Sequence, residues 1–177
     1  MHLFKGILNN MSIQCHKHSE ALVPIDEIDG FKVRPGFFLI NGATAIQNGV
    51  NFTIHSYNAT SCELLLFKRK ESKPYAILPF PKTYRIGNTF SMIVFDIDIL
   101  EFEYAYRMDG PYNKKKGLLF NKNACLLDPY AKAVTGQSKW GVKNDEKENA
   151  YRARVVDDTF DWGNMKQPKI PFQDLII

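Results

Sequence analysis

FEYAYRMDGPYNKKKGLLFNKNACLLDPYAKA, residues 102–133, is the stretch on which the fold turns. It opens in strict alternation, with Phe102, Tyr104, Tyr106 and Met108 on one side and Glu103, Ala105 and Arg107 on the other. A period of two belongs to a strand with one face against a core and the other toward water or a partner. Asp109-Gly110-Pro111 ends it, because glycine tolerates turn dihedrals and proline has no amide hydrogen to give to a ladder. The basic run Lys114-Lys115-Lys116 reads as a solvated loop. In Leu126-Leu127-Asp128-Pro129-Tyr130-Ala131, Asp128 is placed to cap and Pro129 to open a short helical turn.

The preceding segments repeat the strand signal. Residues 92–99 alternate Ile93, Phe95 and Ile97 against Met92, Val94, Asp96 and Asp98. Residues 75–80 form a short strand bounded by Pro74 before it and Pro79 near its end, which suits an edge strand. Residues 62–67 are apolar on both faces and predict a central strand, with Cys62 a small core residue rather than a nucleophile. Residues 50–57 alternate Phe52 and Ile54 against Thr53 and His55, so His55 is expected on a sheet face and not as a catalytic base. Residues 31–40 predict a short strand around Pro35-Gly36, followed by a turn at Asn41-Gly42. No long amphipathic helix interrupts residues 31–117. The fold class expected is therefore all-β: an immunoglobulin-like antiparallel β-sandwich of about six to eight short strands with an irregular C-terminal linker. The division expected is a flexible extension over 1–30, the sandwich over 31–117, and a junction and linker over 118–177.

Composition narrows the class further. The 177 residues are 45% hydrophobic and 13% aromatic, enough for a buried core. The net charge of +4 is spread among carboxylates and reads as solubility, with no nucleic-acid partner. Three cysteines, Cys15, Cys62 and Cys125, are too few and too scattered for a disulfide framework and favour a reducing cytoplasm. No apolar run approaches the roughly 18 residues that a membrane helix needs, so no membrane partner is expected. Cys15-His16-Lys17-His18 crowds three donors into four residues without a second cluster at finger spacing; it reads as a solvated tail, and no metal or cofactor is expected.

The motif Tyr104-x-Tyr106-Arg107-x-Asp109-Gly110-Pro111, the basic loop, Phe120-Asn121, then Leu126-Leu127-Asp128-Pro129-Tyr130-Ala131-Lys132-Ala133, resembles the junction in isoamylase-type glycogen debranching enzymes. Upstream, Arg34-Pro35-Gly36, Asn41-Gly42-Ala43-Thr44 and Gly49-Val50-Asn51-Phe52 are similar to the start of that family's N-terminal sandwich, a glycogen-binding-type module. Phe160-Asp161-Trp162 and the proline-bearing tail resemble its approach to a glycoside hydrolase family 13 barrel. The resemblance implies a non-catalytic domain that supports the barrel of the same polypeptide and borders its cleft. It also implies a chain truncated before that barrel, where Leu175-Ile176-Ile177 would begin the first barrel strand. An independent glycogen- or starch-binding module and a generic interaction sandwich are the alternatives.

The site residues follow from this reading. Glycoside hydrolysis uses two carboxyl groups flanking the scissile bond. Asp96, Asp98, Glu101 and Glu103 fall on strand faces and turns, and Asp157, Asp158 and Asp161 in the tail, so no catalytic residue is expected. Aromatic rings cover the apolar faces of sugars, which makes Trp140, Trp162, Tyr75, Tyr84 and Tyr112 the candidates for contact with α-glucan (glycogen, starch or limit dextrin), with Tyr57 in reserve. Arg107, Asp109, Gly110, Pro111, Leu127, Asp128, Pro129 and Tyr130 are expected to form the domain junction, with Arg107 bonded to Asp109 or Asp128.

Overall fold

Alternating aromatic and β-branched residues are carried into strands. The computed structural model describes residues 22–136, 141, 151–157, 161, 163–166 and 170–171. The first strands are Asp26–Ile28 (β1), Phe31–Pro35 (β2), Gly42–Ile46 (β3), Gly49–His55 (β4), Ser61–Lys68 (β5) and Ala76–Pro79 (β6). There follow Arg85–Ile86 (β7), Thr89–Phe95 (β8), Phe102–Asp109 (β9), Tyr112–Asn113 (β10), Leu118–Leu119 (β11), Ala133–Thr135 (β12) and Arg152–Arg154 (β13). Two short 3-10 turns, Lys82–Tyr84 and Lys114–Lys116, complete the elements among the described residues. The first sheet runs β1-β2-β8-β4-β3, with β7 also paired to β8; the second runs β12-β13-β9-β5-β6. All named pairings are antiparallel. The fold is the all-β sandwich expected, and β6 is the edge strand that its flanking prolines predict.

The two long ladders set the core. β4 and β8 pair from Gly49 opposite Phe95 to His55 opposite Thr89, and β5 and β9 from Ser61 opposite Asp109 to Lys68 opposite Phe102. Phe52, Met92 and Val94 of one sheet meet Leu64, Leu66, Phe102, Tyr104 and Tyr106 of the other, all essentially without solvent contact. Phe52 stands edge-on to Tyr104 with ring centroids 5.2 Å apart, and Tyr104 edge-on to Tyr106 at 5.8 Å. Such geometry adds to the burial of each ring, itself worth about 1.5–3 kcal/mol.

The expected boundaries shift in three places. Residues 22–30 lie inside the span read as a flexible extension, yet β1 pairs with β2 through a two-residue loop, Asp29 and Gly30, at φ 50° and 80°. An Asp-Gly pair with both residues left-handed is the turn that matches strand twist. The strand expected over 92–99 starts earlier, at Thr89, and stops at Phe95, because Asp96 turns left-handed at φ 56° and Asp98 Oδ1 accepts the Leu100 amide. Third, β12 and β13 lie within the expected linker but extend the second sheet past β9. Among the described residues no helix is long and apolar enough to cross a membrane.

The outer face of the first sheet carries Asn51, Thr53 and Ser91, three polar side chains with no exposed surface. Residues 36–40 fold over them. Phe37 donates its amide to Asn51 Oδ1 (2.7 Å), Asn51 Nδ2 donates to Thr53 Oγ1 (3.0 Å), and Thr53 and Ser91 share a hydroxyl bond of 2.6 Å. The strap crosses so closely that a Cβ on Gly36 would collide with Ser91 Oγ and Asn51 Oδ1.

Candidate functional site

Strand β9 organises the site because its two faces do different work. On the inner face Tyr104 donates its hydroxyl to Asp128 Oδ2 at 2.7 Å. The other oxygen, Asp128 Oδ1, accepts the Tyr130 amide at 2.8 Å, and the Asp128 carbonyl accepts the Ala131 amide at 3.1 Å. One residue pair earlier, Leu126 exchanges two backbone bonds with Tyr106, of 2.9 and 2.8 Å. The returning chain is thereby fastened along the edge of β9 that it shares with β13, where Ala153 lies opposite Tyr104.

Asp128 is 1% exposed. Burial pushes its carboxyl above the ordinary range, while the bonds from Tyr130 and Tyr104 oppose that rise. Burial likewise raises the Tyr104 hydroxyl, with the Asp128 charge adding to it. Tyr130 finishes the latch by packing on Gly42: a Cβ there would stand 3.0 Å from Tyr130 Cβ and 3.1 Å from its carbonyl oxygen. Gly42 also has φ 86°, a conformation that side chains disfavour.

The outer face of β9 divides into a closed end and an open end. At the closed end Leu65, Phe67 and Ala105 form a small buried cluster under Cys125. Arg152 lies over it, its guanidinium carbon 3.9 Å from the centre of the Phe67 ring. Arg152 also bonds the Glu71 carbonyl and sits 3.4 Å from Glu103 Oε2, both charged side chains being about one-tenth exposed. At the open end Glu63 and Arg107 face each other across the ladder at 3.4 Å. A groove of about 220 Å³ lies there, lined by Ser61, Glu63, Arg107, Asp109, Lys122 and Asn123.

Several expected positions find different partners. Arg107 pairs with Glu63 and not with Asp109 or Asp128: it is an outer-face residue, whereas Asp128 is bound by Tyr104 on the inner face. Asp128 and Pro129 form a turn and no helix, since the Asp128 carboxylate is committed to Tyr104 and Tyr130. Gly110 is needed where it stands, because a Cβ would lie 2.7 Å from the Phe120 ring. Asp109 accepts the Gly110 amide, while Pro111, Leu127 and Pro129 remain at the surface.

Among the proposed sugar-contact residues, Tyr84 is buried and has no face to offer. Tyr75 is half-exposed beside Phe31, and Tyr112 and Tyr57 are exposed. Trp140 and Trp162 lie outside the described residues. His55 is exposed and bonds Thr89 Oγ1 at 3.2 Å. Sequence reasoning missed Glu63 as the partner of Arg107, although the period of two places both on one face once β5 and β9 are paired. Arg152 gave no such signal. Among the described residues no His, Cys, Asp or Glu group gathers as metal ligands.

The family profile of carbohydrate-binding module 48, the isoamylase N-terminal domain, matches residues 41–131. The chain belongs to that family. The matched span begins beside Gly42 and ends just past Tyr130, the two residues that close on each other in the structure. Chloroplastic isoamylase 1 of Arabidopsis thaliana is 28% identical over 157 residues, 84% of this chain and 20% of that protein. The glycogen debranching enzyme of Serratia proteamaculans is 29% identical over 156 residues, 82% of this chain and 23% of that protein. The chain thus spans about a fifth of the length of the curated relatives that it matches. The catalytic module of the glycogen-degrading pneumococcal virulence factor SpuA shares the fold, with a TM-score of 0.50 at 17% identity over 70% of this chain and 17% of that one.

Proposed function

We propose that this module is the non-catalytic N-terminal part of a glycogen- or starch-debranching glycoside hydrolase that cleaves α-1,6 branch linkages. In this reading residues 31–117 are the body of an immunoglobulin-like support and residues 118–177 the junction toward a catalytic barrel of the same polypeptide. The support also borders the cleft in which the barrel takes its α-glucan. The observation that carries the reading is the Tyr104–Asp128–Tyr130–Gly42 latch. It pins the chain to β9 before that chain rejoins the second sheet through β12 and β13, as a rigid mount requires. Four of the described carboxylates are engaged as structure: Glu63 with Arg107, Glu103 with Arg152, Asp96 with Lys32, and Asp128 with Tyr104. Burial raises the thiol pKa of Cys62, and both Cys62 and Cys125 are unpaired, which suits a reducing compartment such as the cytoplasm.

The purified 177-residue chain is expected to release no reducing ends from limit dextrin, whereas the same chain joined to the remaining length of a debranching relative does so. Turnover by the chain alone overturns the assignment. In the joined protein, Asp128→Ala should lower activity and the melting temperature together.

A further inference from the structure

The tip of the β5–β6 hairpin carries a charge pattern that the supporting role does not use. Residues 69–75 join the two strands, and Lys68, Arg69, Lys70 and Lys73 bring four cations to a stretch whose only carboxylate is Glu71. All of these side chains are exposed, and so is Ser72 among them. We propose that Ser72 is a phosphorylation site. A serine kinase that selects basic residues ahead of its acceptor modifies it, and the cations of the turn and Arg152 then hold the phosphate.

The hairpin is fixed at its base and free at its tip. Lys70 is left-handed at φ 66°, and the Glu71 amide donates to the Lys68 carbonyl at 3.1 Å. The Tyr75 amide closes the loop on the Leu66 carbonyl at 2.8 Å. Between these bonds Ser72 and Lys73 make no hydrogen bond among the described residues, so the chain there can straighten into a kinase cleft without breaking a ladder. Arg69 and Lys70 stand just before the hydroxyl and, like Lys68 and Lys73, have no acidic partner among the described residues. Charge placed around an acceptor is how kinases discriminate between substrates. Transfer from ATP forms a bond between Ser72 Oγ and the γ-phosphorus and breaks that atom's bond to the bridging oxygen, which leaves with ADP. The hydroxyl proton passes to the catalytic carboxylate of the kinase.

Arg152 is already beside the new charge, because it donates to the carbonyl of Glu71, the residue before the serine. The same nitrogen, Nη1, also faces Glu103 Oε2 at 3.4 Å, while the buried Nε has no partner. The guanidinium thus keeps an unused donor. A phosphate of about −2 charge, with three acceptor oxygens, gives it an acceptor and competes with Glu103 for its charge. Phosphorylation therefore ties the hairpin tip to β13 at the closed end of the outer face.

Incubating the 177-residue chain with ATP and the catalytic subunit of cyclic-AMP-dependent protein kinase, with a mass-spectrometric readout, tests the inference. One phosphoryl group is expected, on Ser72. Ser72→Ala should take none, and Arg69→Ala, at an exposed position, should be modified at least about tenfold more slowly with its melting temperature unchanged. In the phosphorylated, isotope-labelled chain the Nε–H resonance of Arg152 should move while that of Arg107 stays. The melting temperature should rise by ~2–4 °C at low salt and by less at high salt. No incorporation, or incorporation on another hydroxyl, overturns the inference. So does an Arg152 resonance or a melting temperature that does not respond to phosphate on Ser72. Each of these failures leaves the supporting role standing, because the hydrolysis assay reads that role separately.

Discussion

Two regions of this module bury polar side chains, and they do it in opposite ways. Over the first sheet Asn51, Thr53 and Ser91 are neutral and satisfy one another and the strap at residues 36–40. Around β9 the buried groups include charges: Asp128 under Tyr104, and Arg152 between Glu103 and Phe67. A neutral network costs little to enclose and has nothing left over to bind a partner. A charged one depends on every member, since losing one partner leaves a bare charge in a poorly solvated place. The difference teaches where each region can fail.

The largest effect is expected at the charged region. Arg152→Ala leaves Glu103 without its cation and uncovers Phe67, and should cost about 3–5 kcal/mol in denaturant unfolding. Adding Glu103→Gln should recover part of that loss; no recovery would show that the guanidinium acts by packing alone. An intermediate effect is expected at the neutral region. Gly36→Ala forces the strap away from Ser91 and Asn51 and should cost about 1–3 kcal/mol by the same measurement. A loss as large as that of Arg152→Ala would erase the contrast.

The smallest effect is a dependence on pH. The folded-state pKa of Asp128 lies above the ordinary aspartate value of 3.8, chiefly through burial, so the folded protein holds that proton more tightly than the unfolded chain. The contribution to stability is therefore fully present below about 3.8 and is lost as pH rises through the folded-state pKa. Asp128→Asn should remove this component from the stability profile, while Thr53→Val, in the neutral network, should lower stability without changing its slope with pH. An unchanged profile in Asp128→Asn would mean that the carboxylate is not the titrating group.

Much of the architecture was legible because it rests on local pattern. The alternation of Phe102, Tyr104, Tyr106 and Met108 puts those four side chains in the core, and the prolines at 74 and 79 mark an edge. The hairpin at Asp29-Gly30 carried an equally plain signal that the polar surroundings obscured. What local pattern does not encode is which distant group meets which. Asp128 is 24 residues from Tyr104, and Arg152 is 49 from Glu103, so neither pairing has a periodicity to announce it. Tyr84 shows the same limit in reverse: in a loop-like stretch rich in turn residues, it inserts its ring into the core, where it serves no ligand.

The contact between Gly42 and Tyr130 brings the beginning and the end of the matched span to one spot on the surface. Both sheets nevertheless continue outside that span, through β1 and β2 before it and β12 and β13 after it. Cutting the chain at Gly42 and Tyr130 would strip β2 from the side of β8 and β13 from the side of β9. The portable unit is therefore the whole pair of sheets, and a transplant limited to the matched span would arrive with two raw edges.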